Sequence, residues 1–246
     1  MKKYDSTELI IKNVINRSRK RNYDCVFFDF HDPKTQHFVS RALEKEKIPY
    51  EYFGGHEEAE RKMLCLKEDD ESIPGEFPIQ LLRCESSKEF SHRDMLGVLM
   101  NIGIDRSVIG DILVDGKTAY LFIKESFEWH IMDQVERIGN ERVQWTVEST
   151  EDVDLPQKQF QSIRAVVASL RLDNVVSKAG NFSRKESEQL IRKGLVKVNH
   201  IEVYKPSAAV KESDLLSIRG KGRYLLKEEL GTTKKGNINI LLKKYV

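Results

Sequence analysis

Two short helices, each with its own start and stop signal, constrain the C-terminal part of this chain more than any other feature constrains the rest. Leu172, Val175, Val176 and Ala179 recur at i, i+3, i+4 and i+7, the spacing of one buried helix face, and Gly180 supplies the stop. Ser183-Arg184-Lys185-Glu186 then reads as a capping box, with Ser183 accepting from a first-turn amide and Glu186 reaching back to the chain before it. The second helix runs to Lys193 and is closed by Gly194. Ser187, Leu190 and Ile191 face its core side. Lys185, Gln189 and Arg192 lie opposite, one turn apart, flanked by Arg184 and Lys193. That spacing predicts a cationic stripe.

Beyond Gly194 the pattern changes from period 3.6 to period 2. Leu195 to Asn199 alternates like a strand with Lys197 and Asn199 on one face. A turn at His200 leads into Ile201-Glu202-Val203, and Asp214 to Ile218 returns as a strand. Gly220-Lys221-Gly222-Arg223-Tyr224 reads as a glycine-spaced basic loop whose backbone can approach a phosphate. The run from Arg171 to Gly220, with Arg171-Leu172-Asp173, Ala179-Gly180, Ser183-Arg184, Leu190-Ile191, Gly194 and Val196 to Asn199 in order, resembles the S4 domain, an RNA-binding module. The resemblance implies contacts to RNA from Arg171, Lys178, Arg184, Lys185, Gln189, Arg192, Lys193, Lys197, Asn199, Lys221 and Arg223. Asp173 sits in an Arg-Leu-Asp triplet that also occurs at the catalytic aspartate of pseudouridine synthases. Inside the first turn of a helix, however, a carboxylate is favourable anyway, and a structural role is expected.

Charge supports a polyanionic partner for this part. From Leu170 onward there are 17 Lys and Arg against 8 Asp and Glu, whereas the residues before it hold 24 basic and 31 acidic side chains. A formal net charge of +2 therefore hides a basic C-terminal unit attached to an acidic body.

The body divides at two polar seams, Lys67 to Gly75 and Glu148 to Gln161. The expected fold class is α+β, in four stretches. Residues 1–72 form a small α+β domain, 73–150 a ferredoxin-like or RRM-like middle domain, 151–169 a linker or helix, and 170–246 the S4 domain. In the first block, helical spacing through Leu9, Ile10, Val14 and Ile15 precedes the apolar run Cys25 to Phe30. A helix from Pro33 to Lys47, a strand Tyr50 to Phe53, a short charged helix Glu57 to Lys62 and a strand Met63 to Leu66 follow. The second block reads βαββαβ, the split-βαβ order. Its strand Pro78 to Cys84 leads to a helix Ser91 to Ile102 with Met95, Leu96, Leu99 and Met100 inward. A hairpin turning at Asp115-Gly116, a helix Phe127 to Ile138 and a strand Arg142 to Val147 complete it. Tyr120 and Phe122 share a strand face, where packing is expected over base stacking, because the aromatics of an RRM signature are out of register.

No catalytic constellation emerges. His92-Arg93-Asp94 imitates a kinase catalytic loop, but Leu99 stands where the asparagine should be, and His92 and Asp94 are better read as helix caps. There is no GxGxxG or GxxxxGK[ST] run. Cys25, Cys65 and Cys84 stand far apart and are expected as unpaired buried thiols. The histidines are scattered, so neither zinc nor any other cofactor is expected. No apolar run approaches the ~20 residues that span a bilayer, and Met1 to Asp5 turns polar at once, so a cytoplasmic monomer is expected.

Outside the S4 part, three stretches resemble the YlmH family of bacteria: Gly54-Gly55-His56-Glu57-Glu58-Ala59-Glu60-Arg61-Lys62, Phe90 to Gly97, and Gly103 to Ile112. The resemblance covers nearly the full length in the right order. It implies a non-enzymatic factor of ribosome-associated quality control. Such a factor binds rRNA and tRNA of the large subunit and supports alanine tailing of stalled chains by a partner factor. Two other readings compete: an RNA-modifying enzyme with a site built from His92, Asp94 and Asp111, and a cell-division-linked scaffold using the acidic body.

Overall fold

The computed structural model describes residues 6–20 and 25–246; the polar N-terminal stretch Met1 to Asp5 lies outside them. The chain forms two compact units, Met1–Pro156 and Gln157–Val246.

In the first unit, α1 (Ser6–Ser18) and α2 (Pro33–Glu46) pack on a three-stranded antiparallel sheet. Its strands β1 (Cys25–His31), β2 (Tyr50–Phe53) and β3 (Lys62–Lys67) stand in the order β1-β3-β2. Val14, Val39, Leu43, Leu64 and Leu66 form the core between them. α2 starts where Pro33 and the Asp32 cap predict, Asp32 Oδ1 accepting from the Thr35 amide at 2.9 Å. The short helix expected over Glu57 to Lys62 is absent. Two amides in that segment are instead taken by a carboxylate from the neighbouring sheet, as described below.

The cysteine expectation also needs correcting. Cys25 and Cys65, on the neighbouring strands β1 and β3, form a disulfide with Cα atoms 6.3 Å apart. A sequence separation of 40 conceals that pairing. Cys84 is a buried free thiol, pushed up to about 12 chiefly by burial.

The same unit carries the second sheet. Its strands β4 (Ile79–Ser86), β5 (Ile109–Asp115), β6 (Thr118–Lys124), β7 (Arg137–Ile138) and β8 (Glu141–Glu148) stand in the order β5-β6-β4-β8-β7, every pairing antiparallel. With α3 (His92–Asn101) after β4 and α4 (Glu128–Gln134) after β6, this is the split-βαβ topology with one extra short strand. Gly116, at φ +57, makes the hairpin turn that Asp115-Gly116 predicts. Met95 and Leu99 of α3 are buried as expected, but Met100, turned about 100° round the helix from Leu99, is 48% exposed. Phe122 is fully buried, with the His56 ring centroid 4.7 Å from its own and a Cβ on Gly55 placed 2.4 Å from it. The possible stacking platform at Tyr120 and Phe122 is thus closed at Phe122 by the first block.

The second unit is one sheet with two helices on one face. α5 (Leu172–Gly180) and α6 (Arg184–Arg192) cover strands β9 (Phe160–Val167), β10 (Val196–Val198), β11 (Ile201–Glu202), β12 (Leu215–Ile218), β13 (Gly222–Thr232) and β14 (Ile238–Tyr245). The order is β11-β10-β12-β13-β14-β9. Leu172, Val175, Val176, Ala179, Ile191, Val196, Leu216, Ile218, Tyr224, Leu226, Ile240 and Leu242 fill the layer between. Where the sequence reading placed a linker or helix, residues 160–167 form the edge strand β9. Arg223, expected in a loop, lies on β13 instead, since Arg219, Gly220 and Lys221 suffice to turn from β12.

Candidate nucleic-acid interface

The two helices of the second unit are locked by a buried carboxylate. Asp173 is 0% exposed, and Arg171, at the N-cap position of α5, grips it with Nε at 3.1 Å and Nη2 at 2.7 Å. The Asn174 amide donates to it at 2.9 Å, and Arg184 of α6 brings Nη2 to 3.8 Å. Burial works to raise the Asp173 carboxyl, but the Arg171 hydrogen bond and charge, the Asn174 amide and the Arg184 charge outweigh it and hold it below the usual carboxylate range. The Arg-Leu-Asp triplet is accordingly a joint between helices.

α6 opens with both halves of its capping box formed: Ser183 Oγ accepts from the Glu186 amide at 3.2 Å, and the Ser183 amide donates to Glu186 at 2.8 Å. It closes at Gly194, whose φ of +69 few side chains adopt and whose Cβ would meet the Tyr204 ring at 2.8 Å. Between these stops Ser187 and Ile191 are buried while Lys185, Gln189 and Arg192 are exposed at i, i+4 and i+7. Arg184, Lys178 and Lys193 are exposed too, and Arg184 Nε also lies 3.6 Å from Glu188.

Lys197 and Arg223 of the expected set do not join this helix face. Val196 is buried toward the helices, so Lys197 points to the opposite side of the sheet, its Nζ 3.2 Å from Glu202. Ser217 pairs with Lys197 on one side and with Arg223 on the other, which puts Arg223 on that second face as well. Lys221 holds Nζ 5.2 Å from the Phe182 ring centroid. Asn199 is engaged in its turn: at φ +48, its Nδ2 donates to Asp214 and its Oδ1 accepts from the Leu215 amide, both at 2.8 Å. The expected set is therefore split between a helix face and a sheet face. Arg164 and Lys243, cations on β9 and β14 outside the expected set, share the sheet face; the alternation Ser162-Ile163-Arg164-Ala165 is the sequence signal for it.

In the first unit, the residues weighed for an enzymatic site are held by the fold. Asp94 completes a capping box with Ser91 at the start of α3. Asp111 accepts from the Glu60 and Arg61 amides at 2.8 and 2.9 Å, with His56 Nε2 3.3 Å away. His92 is pushed down by burial and by the Arg106 charge, against a smaller pull from Asp111. Among the described residues, no three His, Cys, Asp or Glu side chains stand close enough to hold a metal ion. No helix among them is long and apolar enough to cross a membrane.

The Asp111 latch gives a pH prediction. Burial works to raise this carboxyl, but His56 and the two amides outweigh it, so its folded pKa lies below the ordinary carboxylate value of ~4. Stabilisation is then complete above that value and is lost as pH falls through the folded pKa. In acid titrations of unfolding free energy, Asp111→Asn should be less stable at neutral pH and should lose less between about pH 5 and 2 than the wild type. Parallel titration curves would remove the latch from the account.

Comparison with known proteins completes the picture. The family model described as "Putative RNA-binding domain in YlmH" matches residues 74–152, and the S4 domain model matches residues 170–216. The chain is 32% identical over 220 residues to the ribosome-associated protein quality control protein P2 of Bacillus subtilis (strain 168), covering 88% of this chain and 86% of that relative. A solved structure, the cell division protein ylmH from Streptococcus pneumoniae, superposes with a TM-score of 0.52 at 21% identity. It covers 63% of this chain and 99% of its own, a likeness of fold.

Proposed function

Because this chain belongs to the YlmH family of S4-domain RNA-binding proteins, we propose that it works on the large ribosomal subunit, contacting rRNA and peptidyl-tRNA through the S4 domain. In this role it supports alanine tailing of stalled nascent chains by a partner factor and catalyses no reaction itself. The name of the B. subtilis relative, a ribosome-associated quality control protein, supports the setting. The observation that carries the RNA contact is the exposed α6 face with Lys185, Gln189 and Arg192 one turn apart. Arginine can clamp a phosphate through two donors, and lysine adds a point charge. Contacts of this kind read the shape of A-form RNA, whose base edges lie in a narrow groove. The non-enzymatic reading draws on Asp94 and Asp111 being occupied by a helix cap and a backbone latch.

Sedimentation through a sucrose gradient tests the proposal. Wild type should travel with large subunits carrying peptidyl-tRNA, and Lys185→Gln/Arg192→Gln should bind them about tenfold more weakly, having lost two phosphate contacts. These substitutions avoid Arg184, whose loss would also disturb Asp173. Wild-type protein left at the top of the gradient would refute the ribosomal role.

A further inference from the structure

The face of the C-terminal sheet turned away from α5 and α6 combines aromatic rings with cations. Tyr245 of β14 pairs with Phe160 of β9, and their rings stand 4.8 Å apart at 68°. The Arg223 guanidinium carbon lies 4.5 Å from the Tyr245 ring centroid. Lys243, two positions back on β14 and so on the same face, holds Nζ 5.3 Å from the Phe160 ring. Arg164, two strand repeats along β9 from Phe160, is exposed on this face as well. Neither β9 nor β14 contains an acidic residue, though the adjoining β13 sets Glu228 in register with Leu241, and Phe160 is 37% exposed.

This composition fits one chemical class. An exposed ring offers a stacking surface to a flat heteroaromatic base, and flanking guanidinium and ammonium groups offer charge to the phosphates on either side of it. Paired A-form RNA keeps its base faces stacked inside the helix, so only unpaired nucleotides can use the ring. An acidic peptide would engage the cations and leave the ring without a stacking partner. We propose that this sheet face is a second RNA site, taking unpaired nucleotides with a base on Phe160 and the backbone along Arg164, Lys243 and Arg223. It rests on the reading of this unit as RNA-binding and adds a contact separate from the α6 face, which suits paired RNA. The lysine over Phe160 is a replaceable occupant, since its charge can move to a phosphate while a base takes the ring.

The test uses the whole protein and two labelled probes read by fluorescence anisotropy, an oligouridylate of about ten nucleotides and a long paired hairpin closed by a short, internally stacked loop. Phe160→Leu keeps an apolar side chain on β9 and removes the aromatic ring, and with it the stacking surface and the contacts to Tyr245 and Lys243. It should weaken the oligouridylate about tenfold, the value of one stacked base, with hairpin affinity unchanged. Lys243→Gln, a surface change that leaves the core untouched, should lower the salt slope for the oligouridylate by about one. It provides an independent reading should the leucine variant fold poorly. Lys185→Gln/Arg192→Gln should do the reverse, weakening the hairpin and sparing the oligouridylate. Oligouridylate binding unchanged in both Phe160→Leu and Lys243→Gln would overturn the second site, while a hairpin loss in the α6 variant would still leave the ribosomal reading standing. Competition by polyglutamate as effective as that by unlabelled oligouridylate would assign the face to acidic proteins and overturn the proposal equally.

Discussion

Arg61→Ala is expected to lower the unfolding free energy of the N-terminal unit by about 4 kcal/mol. The guanidinium is half-buried where the two sheets of that unit meet. Its Nε donates to the Ile109 carbonyl at 2.7 Å, and its Nη2 donates to the carbonyls of Arg106 at 2.8 Å and Phe30 at 3.2 Å. Burial lowers its pKa, while Asp32, Asp111 and Asp105 oppose that shift. Alanine removes three charge-assisted hydrogen bonds together and leaves polar backbone groups buried without replacement. Lysine retains the charge but lacks the planar fork, so Arg61→Lys should recover only a minority of the loss. Both tryptophans, Trp129 and Trp145, lie in this unit, and urea unfolding followed by their fluorescence reads the effect. A loss under about 1 kcal/mol would mean that water replaces the arginine readily and that the junction is held by apolar packing alone.

The second large effect is on binding. RNA affinity should fall roughly 10²- to 10³-fold as monovalent salt rises from about 50 to 200 mM, because four or five phosphate contacts release their counterions together. Lys185, Arg192, Lys178, Lys193 and Lys221 are the exposed cations in the expected set that have no carboxylate within ion-pair distance among the described contacts. Arg171, Arg184 and Lys197 have carboxylate neighbours and should contribute less to the slope. Lys185→Gln/Arg192→Gln should reduce the slope by about two. A titration that is flat in salt for the wild-type protein would rule out a phosphate-dominated contact.

What could be read from the sequence was what local chemistry specifies. The capping box at Ser183 and Glu186, the Pro33 start of α2, and the turn at Gly116 each fix a helix or hairpin through neighbours only a few residues away, and all stand where the residues place them. The βαββαβ order followed from successive elements of clear period. Partners chosen at long range were hidden. The Glu57 to Lys62 segment has charges suited to a helix, yet Asp111, some 50 positions later, draws two of its amides out of one. Cys25 and Cys65 meet only because β1 and β3 pair. The candidate interface follows the same rule. The α6 stripe was legible because helical spacing alone sets which residues share a face, whereas the side taken by Lys197 and Arg223 depends on how β10, β12 and β13 register. Arg164 and Lys243 were missed because the strands carrying them fall outside the stretch that resembles S4.

The position of β9 in its sheet sets an order of assembly. This strand precedes the S4 segment in the chain, yet among the described residues it pairs with β14, which follows that segment, so that Phe160 pairs with Tyr245 and Val167 with Ile238. During synthesis, the first-made strand of the unit has no ladder to join until the last-made strand exists. Closing so long a loop before gaining any pairing is an entropic cost that local hairpins such as β13–β14 avoid. The helices and inner strands can therefore settle first, with the outer strand and its aromatic row completed last.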